Sequence, residues 1–147
     1  MLRRFIPFLF GMLVVPATAH QYELGALVIG HPWTRPAPAT MSMGVAYLSI
    51  TNNGKDADTL IAASTPAAES VQFHQTTIVD GVARMRPLPE VLIAPGGTVR
   101  IEPGGIHLML VNLKAALETG KPVPLTLEFR KAGRITVQLS VERREDM

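Results

Sequence analysis

Apolar residues along this chain come in short runs, each closed by glycine, proline or an asparagine-rich break. The runs are Leu24–Ile29, Val45–Thr51, Thr59–Ala63, Ser70–Ile78, Val82–Leu88, Thr98–Glu102, Ile106–Val111, Val123–Phe129 and Arg134–Val141. The breaks fall at Asn52-Asn53-Gly54, Asp80-Gly81, Pro95-Gly96-Gly97, Pro103-Gly104-Gly105 and Ala132-Gly133. Several runs alternate apolar with polar positions, which sends the two sets of side chains to opposite faces of a strand. Only Leu113–Glu118 reads as helical, over one or two turns. Strands at this spacing between Gly and Pro turns predict an all-β sandwich or barrel with one short helix. The two Pro-Gly-Gly breaks read as similar turns around a short strand, not as an internal repeat, because their flanks differ.

The first 19 residues break this pattern and read as a secretory signal. Arg3-Arg4 supplies a charged start, Phe5 to Val15 an apolar run, and Ala17-Thr18-Ala19 a small-x-small cleavage site. The apolar run would span about 16 Å as a helix, short of the ~30 Å hydrocarbon core, so export is favoured over an uncleaved anchor. The expected product is one domain, 20–147, in the periplasm with no stable membrane insertion. Cleavage after Ala19 would expose His20, whose α-amine and imidazole could chelate a metal as a histidine brace; a solvated terminus is the commoner reading.

Composition narrows the chemistry. The formal charge is +2 from 14 basic and 12 acidic residues, and Arg3 and Arg4 account for that excess. The remainder is formally neutral, which excludes a chain-wide basic footprint for nucleic acid. The chain has no cysteine, so disulfides, thiol nucleophiles, iron–sulfur clusters and thiolate copper centres are excluded. Asp56 and Asp58 fall beside Asn52-Asn53-Gly54, in what reads as a solvated loop without a calcium-loop spacing. Ser64, Ser70 and Ser140 lack the context of a nucleophile elbow, and no acid–base pair stands out. The chain is not expected to be an enzyme.

Soft-ligand chemistry must therefore come from histidine and methionine. Asp80-Gly81 between alternating runs predicts a two-residue hairpin in which Val79 pairs with Val82 and Thr76 faces Met85. His74 and Met85 become diagonal neighbours on one face, opposite the side to which Val71 and Phe73 point. In Ile106-His107-Leu108-Met109-Leu110, His107 and Met109 share the less apolar face while Ile106, Leu108 and Leu110 turn to the expected core. A lone histidine is ordinarily a surface or hydrogen-bonded residue, and a lone methionine is ordinarily core filler. Two His/Met pairs, each off the apolar side of its strand, carry more meaning. Thioethers are soft, neutral donors that select Cu(I) over hard cations, and imidazole suits copper as well.

The spacing of these four residues is H-x10-M-x21-H-x-M, from His74 through Met85 and His107 to Met109. The chain resembles the periplasmic copper chaperones of the PCu(A)C family in that string. It resembles them also in His31-Pro32-Trp33-Thr34-Arg35, in Ala46-Tyr47-Leu48 leading to Asn52, and in the tracts Asp80–Pro87 and Pro103–Leu110. The likeness runs from about Gly25 to Val141. It implies a cupredoxin-like Greek-key β-sandwich that binds Cu(I) through His74, Met85, His107 and Met109. It also implies copper delivery toward the Cu(A) subunit of cytochrome c oxidase, with a Sco-like thioredoxin-fold partner. A copper storage or resistance protein is the alternative, and a copper oxidoreductase using His20 a more distant one. Relatives with a His/Met-rich tail bind a second copper there; this chain ends Glu142-Arg143-Arg144-Glu145-Asp146-Met147, without histidine. Trp33 and Arg35 share a face if extended, and with His31 read as a packing and cation–π cluster before a rim contact. Met41 and Met43 read as loop or interface residues before a weak Cu(I) relay.

Overall fold

The computed structural model describes residues 21–145. The expected signal segment 1–19, His20 and Met147 lie outside the described residues. Eleven strands carry the fold, and no helix occurs among the described residues. In chain order they are β1 (Gln21–Leu24), β2 (Leu27–Thr34), β3 (Met43–Asn52), β4 (Asp58–Ser64), β5 (Ala68–Val79) and β6 (Val82–Leu88). There follow β7 (Val91–Ile93), β8 (Thr98–Ile101), β9 (Ile106–Leu113), β10 (Val123–Phe129) and β11 (Gly133–Val141).

Hydrogen bonding links the strands in the order β6-β5-β9-β8-β3-β2-β11-β10-β4-β7, with β1 on β2 and a direct β3–β9 pairing. The pairings are antiparallel except β11 with β2 and β8 with β9. The β2–β11 seam folds the sheet over itself: β4 comes to lie against β5, and β7 against β3. Inward residues of both layers fill the space between, among them Ile29, Ile50, Leu108, Leu125, Leu127, Phe129 and Leu139. Each such side chain contributes about 1.5–3 kcal/mol by leaving water. The all-β, cupredoxin-like expectation is what this alternation builds.

Three segments differ from what their sequence predicts. Leu113–Glu118 is not a helix. Its first residue ends β9, Lys114 N–H donates to the Ala67 carbonyl, and the buried Leu117 exchanges backbone hydrogen bonds with Ala37. Six residues cannot offset the cost of helix nucleation against such tertiary pairings. Leu24–Ile29 is not one strand, because Gly25, at φ +57°, opens a tight turn between Leu24 and Leu27. Asp58 is not in a solvated loop. It is buried at the start of β4, where Oδ1 accepts the N–H groups of Thr59 (2.7 Å) and Lys131 (2.9 Å) and Oδ2 accepts that of Ala132 (2.9 Å). Burial pushes this carboxyl's pKa up, but the three N–H donors and the Lys131 charge outweigh it and leave the pKa lowered.

A candidate copper-binding face

The hairpin carrying the first His/Met pair forms in the expected register. Val79 faces Val82, Thr76 faces Met85 and His74 faces Pro87. The turn works because both central residues have positive φ, +51° at Asp80 and +76° at Gly81, as a right-twisted two-residue hairpin requires. β5 also pairs with β9, and there His74 stands directly opposite His107 while Gln72 stands opposite Met109. Residues opposite one another across a ladder share a face. His74, Met85, His107 and Met109 therefore project from the same outer face of one layer. The two imidazoles come closest, with ring centroids 5.8 Å apart at 39°.

Their surroundings differ. His107 is 5% exposed and Met109 9%, whereas Met85 is 62% exposed. The second pair is thus nearly buried although it lies on the less apolar face of its strand. β9 runs between β5 and β3, so neighbouring side chains, such as Val45 and Gln72 beside Met109, wall in its outer face as well. Met85 sits on β6, the edge strand, in the part of the hairpin that outruns β9; the last backbone bond to that side is Thr76 N–H to Gly105 O (3.1 Å).

Donor atoms are prepared unequally. His107 Nδ1–H donates to the Gly105 carbonyl (3.2 Å), which leaves the lone pair on Nε2. That Nε2 is buried and has no hydrogen-bond partner. An unpaired buried polar atom costs about 1–3 kcal/mol, and a metal bond would satisfy it. His74 Nε2–H donates to Gln72 Oε1 (3.0 Å), so its Nδ1 holds the available lone pair, and binding through Nε2 would require the ring to release Gln72. Among the described residues no group of three or more His, Asp or Glu side chains converges. The donor set is imidazole and thioether, which suits a soft monovalent ion and not a hard divalent one. Gln72 and Gly105 were not foreseen as orienting partners, although each lies two residues before its histidine and thus on the same side of an extended chain.

His31, Trp33 and Arg35 gather elsewhere. Arg144 stacks over Trp33 with its guanidinium 4.1 Å from the ring centroid, Arg35 lies at 6.0 Å, and Tyr47 packs on Trp33 at 4.8 Å. His31 adopts φ +46° at a bulge between Gly30 and Trp33, not the extended geometry that residues before proline usually take. Its Nε2 is hydrogen-bonded by Arg144 and lies 3.6 Å from Glu142. Burial raises the Glu142 carboxyl's pKa, but bonds from Ser140 and Arg144 and the nearby charges more than offset this and lower it. His31, Trp33, Arg100 and Arg144 help line a cleft of about 430 Å³ that none of the four His/Met residues borders. The cluster is a packing and cation–π assembly, as favoured from the sequence.

A family of proteins described as "Putative lipoprotein LpqE-like" matches residues 27–141. The chain is 30% identical over 131 residues to the putative lipoprotein Lxx21020 of Leifsonia xyli subsp. xyli, covering 87% of this chain and 78% of that one. Among solved structures, the copper-bound PCuAC domain from PmoF2 superposes with a TM-score of 0.73 at 29% identity, covering 85% of this chain and 99% of the domain. The solution structure of Cu(I)-DR1885 from Deinococcus radiodurans gives 0.63 at 28% identity, covering 86% and 83%. The chain belongs to the LpqE-like, or PCuAC, family.

Proposed function

We propose that the protein is a copper chaperone that binds Cu(I) through His74, Met85, His107 and Met109 and passes it on by ligand exchange. The observation that carries the reading is the buried Nε2 of His107, a lone pair without a hydrogen-bond partner, on the face that also bears His74, Met85 and Met109. Structural relatives described as copper-bound and Cu(I)-bound support copper as the cargo. Four neutral donors would leave the ion's single positive charge uncompensated, which costs less at a partly open sheet face than in the core. Met85, exposed on the edge strand, is the donor an incoming ligand reaches first, and this accessibility favours a carrier over a storage protein. His107 and Met109 would hold the ion until the exchange is complete.

The signal-like segment 1–19 and a relative named as a lipoprotein support action outside the cytoplasm, in the periplasm. The acceptor proposed is the Cu(A) subunit of cytochrome c oxidase, with a Sco-like thioredoxin-fold protein as partner. Anaerobic titration of Cu(I) against a competing chelator should give one tight site that is lost when Met85 and Met109 are both replaced by leucine. Undiminished binding by that double variant would overturn the ligand set. Mixing the Cu(I)-loaded protein with an apo Cu(A) domain should move copper to the domain; no net transfer, with or without the Sco-like partner, would point to buffering instead.

A further inference from the structure

Met41 and Met43 are outside the proposed four-residue set and lie open to solvent, at 49% and 41% exposure. Their backbone is firmly seated. Met41 N–H donates to the Pro38 carbonyl and the Ser42 carbonyl accepts from Leu113 N–H, each at 3.0 Å. Gly44 follows, so close to the core that an added Cβ would lie 3.3 Å from Leu117 and 3.4 Å from Leu113. Neither thioether is needed for that anchoring, and at these exposures neither fills a core gap, which is methionine's usual use.

Register shows where Met43 stands. Met43 faces Val111 and Val45 faces Met109 across β3 and β9. Met43 therefore lies on the same face as Met109, one diagonal step away, with Cβ atoms roughly 5.5–8 Å apart. Ser70 of β5, beyond Val111, continues the same row. Neutral side chains thus surround Met43 within the sheet, which leaves a thioether as the strongest soft donor there.

We infer that Met41 and Met43 form a second, weaker Cu(I) site, a thioether port beside Met109 through which copper enters the four-residue site. Its role as a port rests on the copper-carrier reading; its ability to bind Cu(I) does not. Copper remains Cu(I) throughout. A bond to Met109 forms as the one to Met41 breaks, and imidazole bonds then replace the remaining bond to Met43. Two thioethers hold the ion less firmly than two imidazoles with two thioethers, so the port fills after the main site and exchanges faster.

The test is an anaerobic Cu(I) titration of the purified protein carrying ¹³C-methyl methionine, followed by NMR, with Ag(I) as an oxidation-resistant check. Met85 and Met109 methyls should move with the first equivalent and Met41 and Met43 with the second. The M41L/M43L protein should lose the second phase, keep the first and load more slowly from a Cu(I) chelate in stopped-flow. Unmoved Met41 and Met43 methyls through the second equivalent, with Met85 and Met109 responding, would overturn the port and leave the carrier reading intact. A response confined to Met41 and Met43 would support the thioether site and overturn the four-residue reading.

Discussion

Met85 and Met109 are proposed to do the same chemical job from opposite environments, so their truncation separates copper binding from folding. Met109 is 9% exposed on the central strand β9, and removing its side chain opens a cavity between Gln72 and Val45. Core Met→Ala changes cost about 2–5 kcal/mol, and a residue at a sheet's outer face belongs near the lower end, about 2–3 kcal/mol. Met85, 62% exposed on the edge strand, has little packing to lose, so Met85→Ala should cost the metal-free protein less than about 0.5 kcal/mol. For a domain of this size that is a fall in Tm of roughly 6–12 °C against a change within about 2 °C. Copper binding should not follow the same division. Met85→Leu and Met109→Leu keep most of the volume and remove only sulfur, and each should weaken Cu(I) binding at least about tenfold, or ~1.4 kcal/mol. Urea unfolding of the metal-free variants and chelator competition measure the two quantities. The reasoning fails if Met85→Ala destabilises the metal-free fold as much as Met109→Ala, or if either leucine variant retains full affinity.

Asp58→Asn should destabilise the protein by about 2–4 kcal/mol with no loss of copper affinity, since an amide NH₂ set against one of the three N–H donors leaves that donor unsatisfied. Because the folded-state pKa of Asp58 is lowered, its contribution is present above the ordinary carboxylate pKa and lost as pH falls through the folded value; the variant should lack that part of the acid-side decline in Tm. Gly81→Val, forcing a β-branched residue into φ +76°, should cost about 1–2 kcal/mol and weaken copper binding by loosening the arm that holds Met85, detectable by chelator competition. Gln72→Leu removes the hydrogen bond to His74 Nε2; the imidazole ¹⁵N shifts of His74 should change in the metal-free protein while those of His107 stay put.

How far the site could be read in advance depended on whether its parts were local. Asp80-Gly81 determines its own turn, and the turn determines the register that puts His74 diagonal to Met85. The alternation within β9 likewise puts His107 and Met109 together without knowledge of its neighbours. Their burial was not legible, because it depends on β9 lying between β5 and β3, pairings far apart in sequence. Gln72 and Gly105 were missed for a related reason: an orienting hydrogen bond depends on where a ring turns, and strand alternation gives only its face. Leu113–Glu118 misled because short apolar spacing cannot distinguish a helical turn from a bridge to Ala37. Asp58 misled because loop-like neighbours hid a cradle of amides that Lys131 and Ala132 complete from the distant turn between β10 and β11.

The most direct test of the central claim is the X-ray absorption spectrum of the protein loaded with one equivalent of Cu(I). The account predicts a first shell of two thioether sulfurs and two imidazole nitrogens. It also predicts that, in protein carrying Met41→Leu and Met43→Leu, the sulfur contribution falls by half on adding Met85→Leu or Met109→Leu and vanishes on adding both. A first shell of nitrogen and oxygen alone, or a sulfur shell unchanged in those variants, would contradict it.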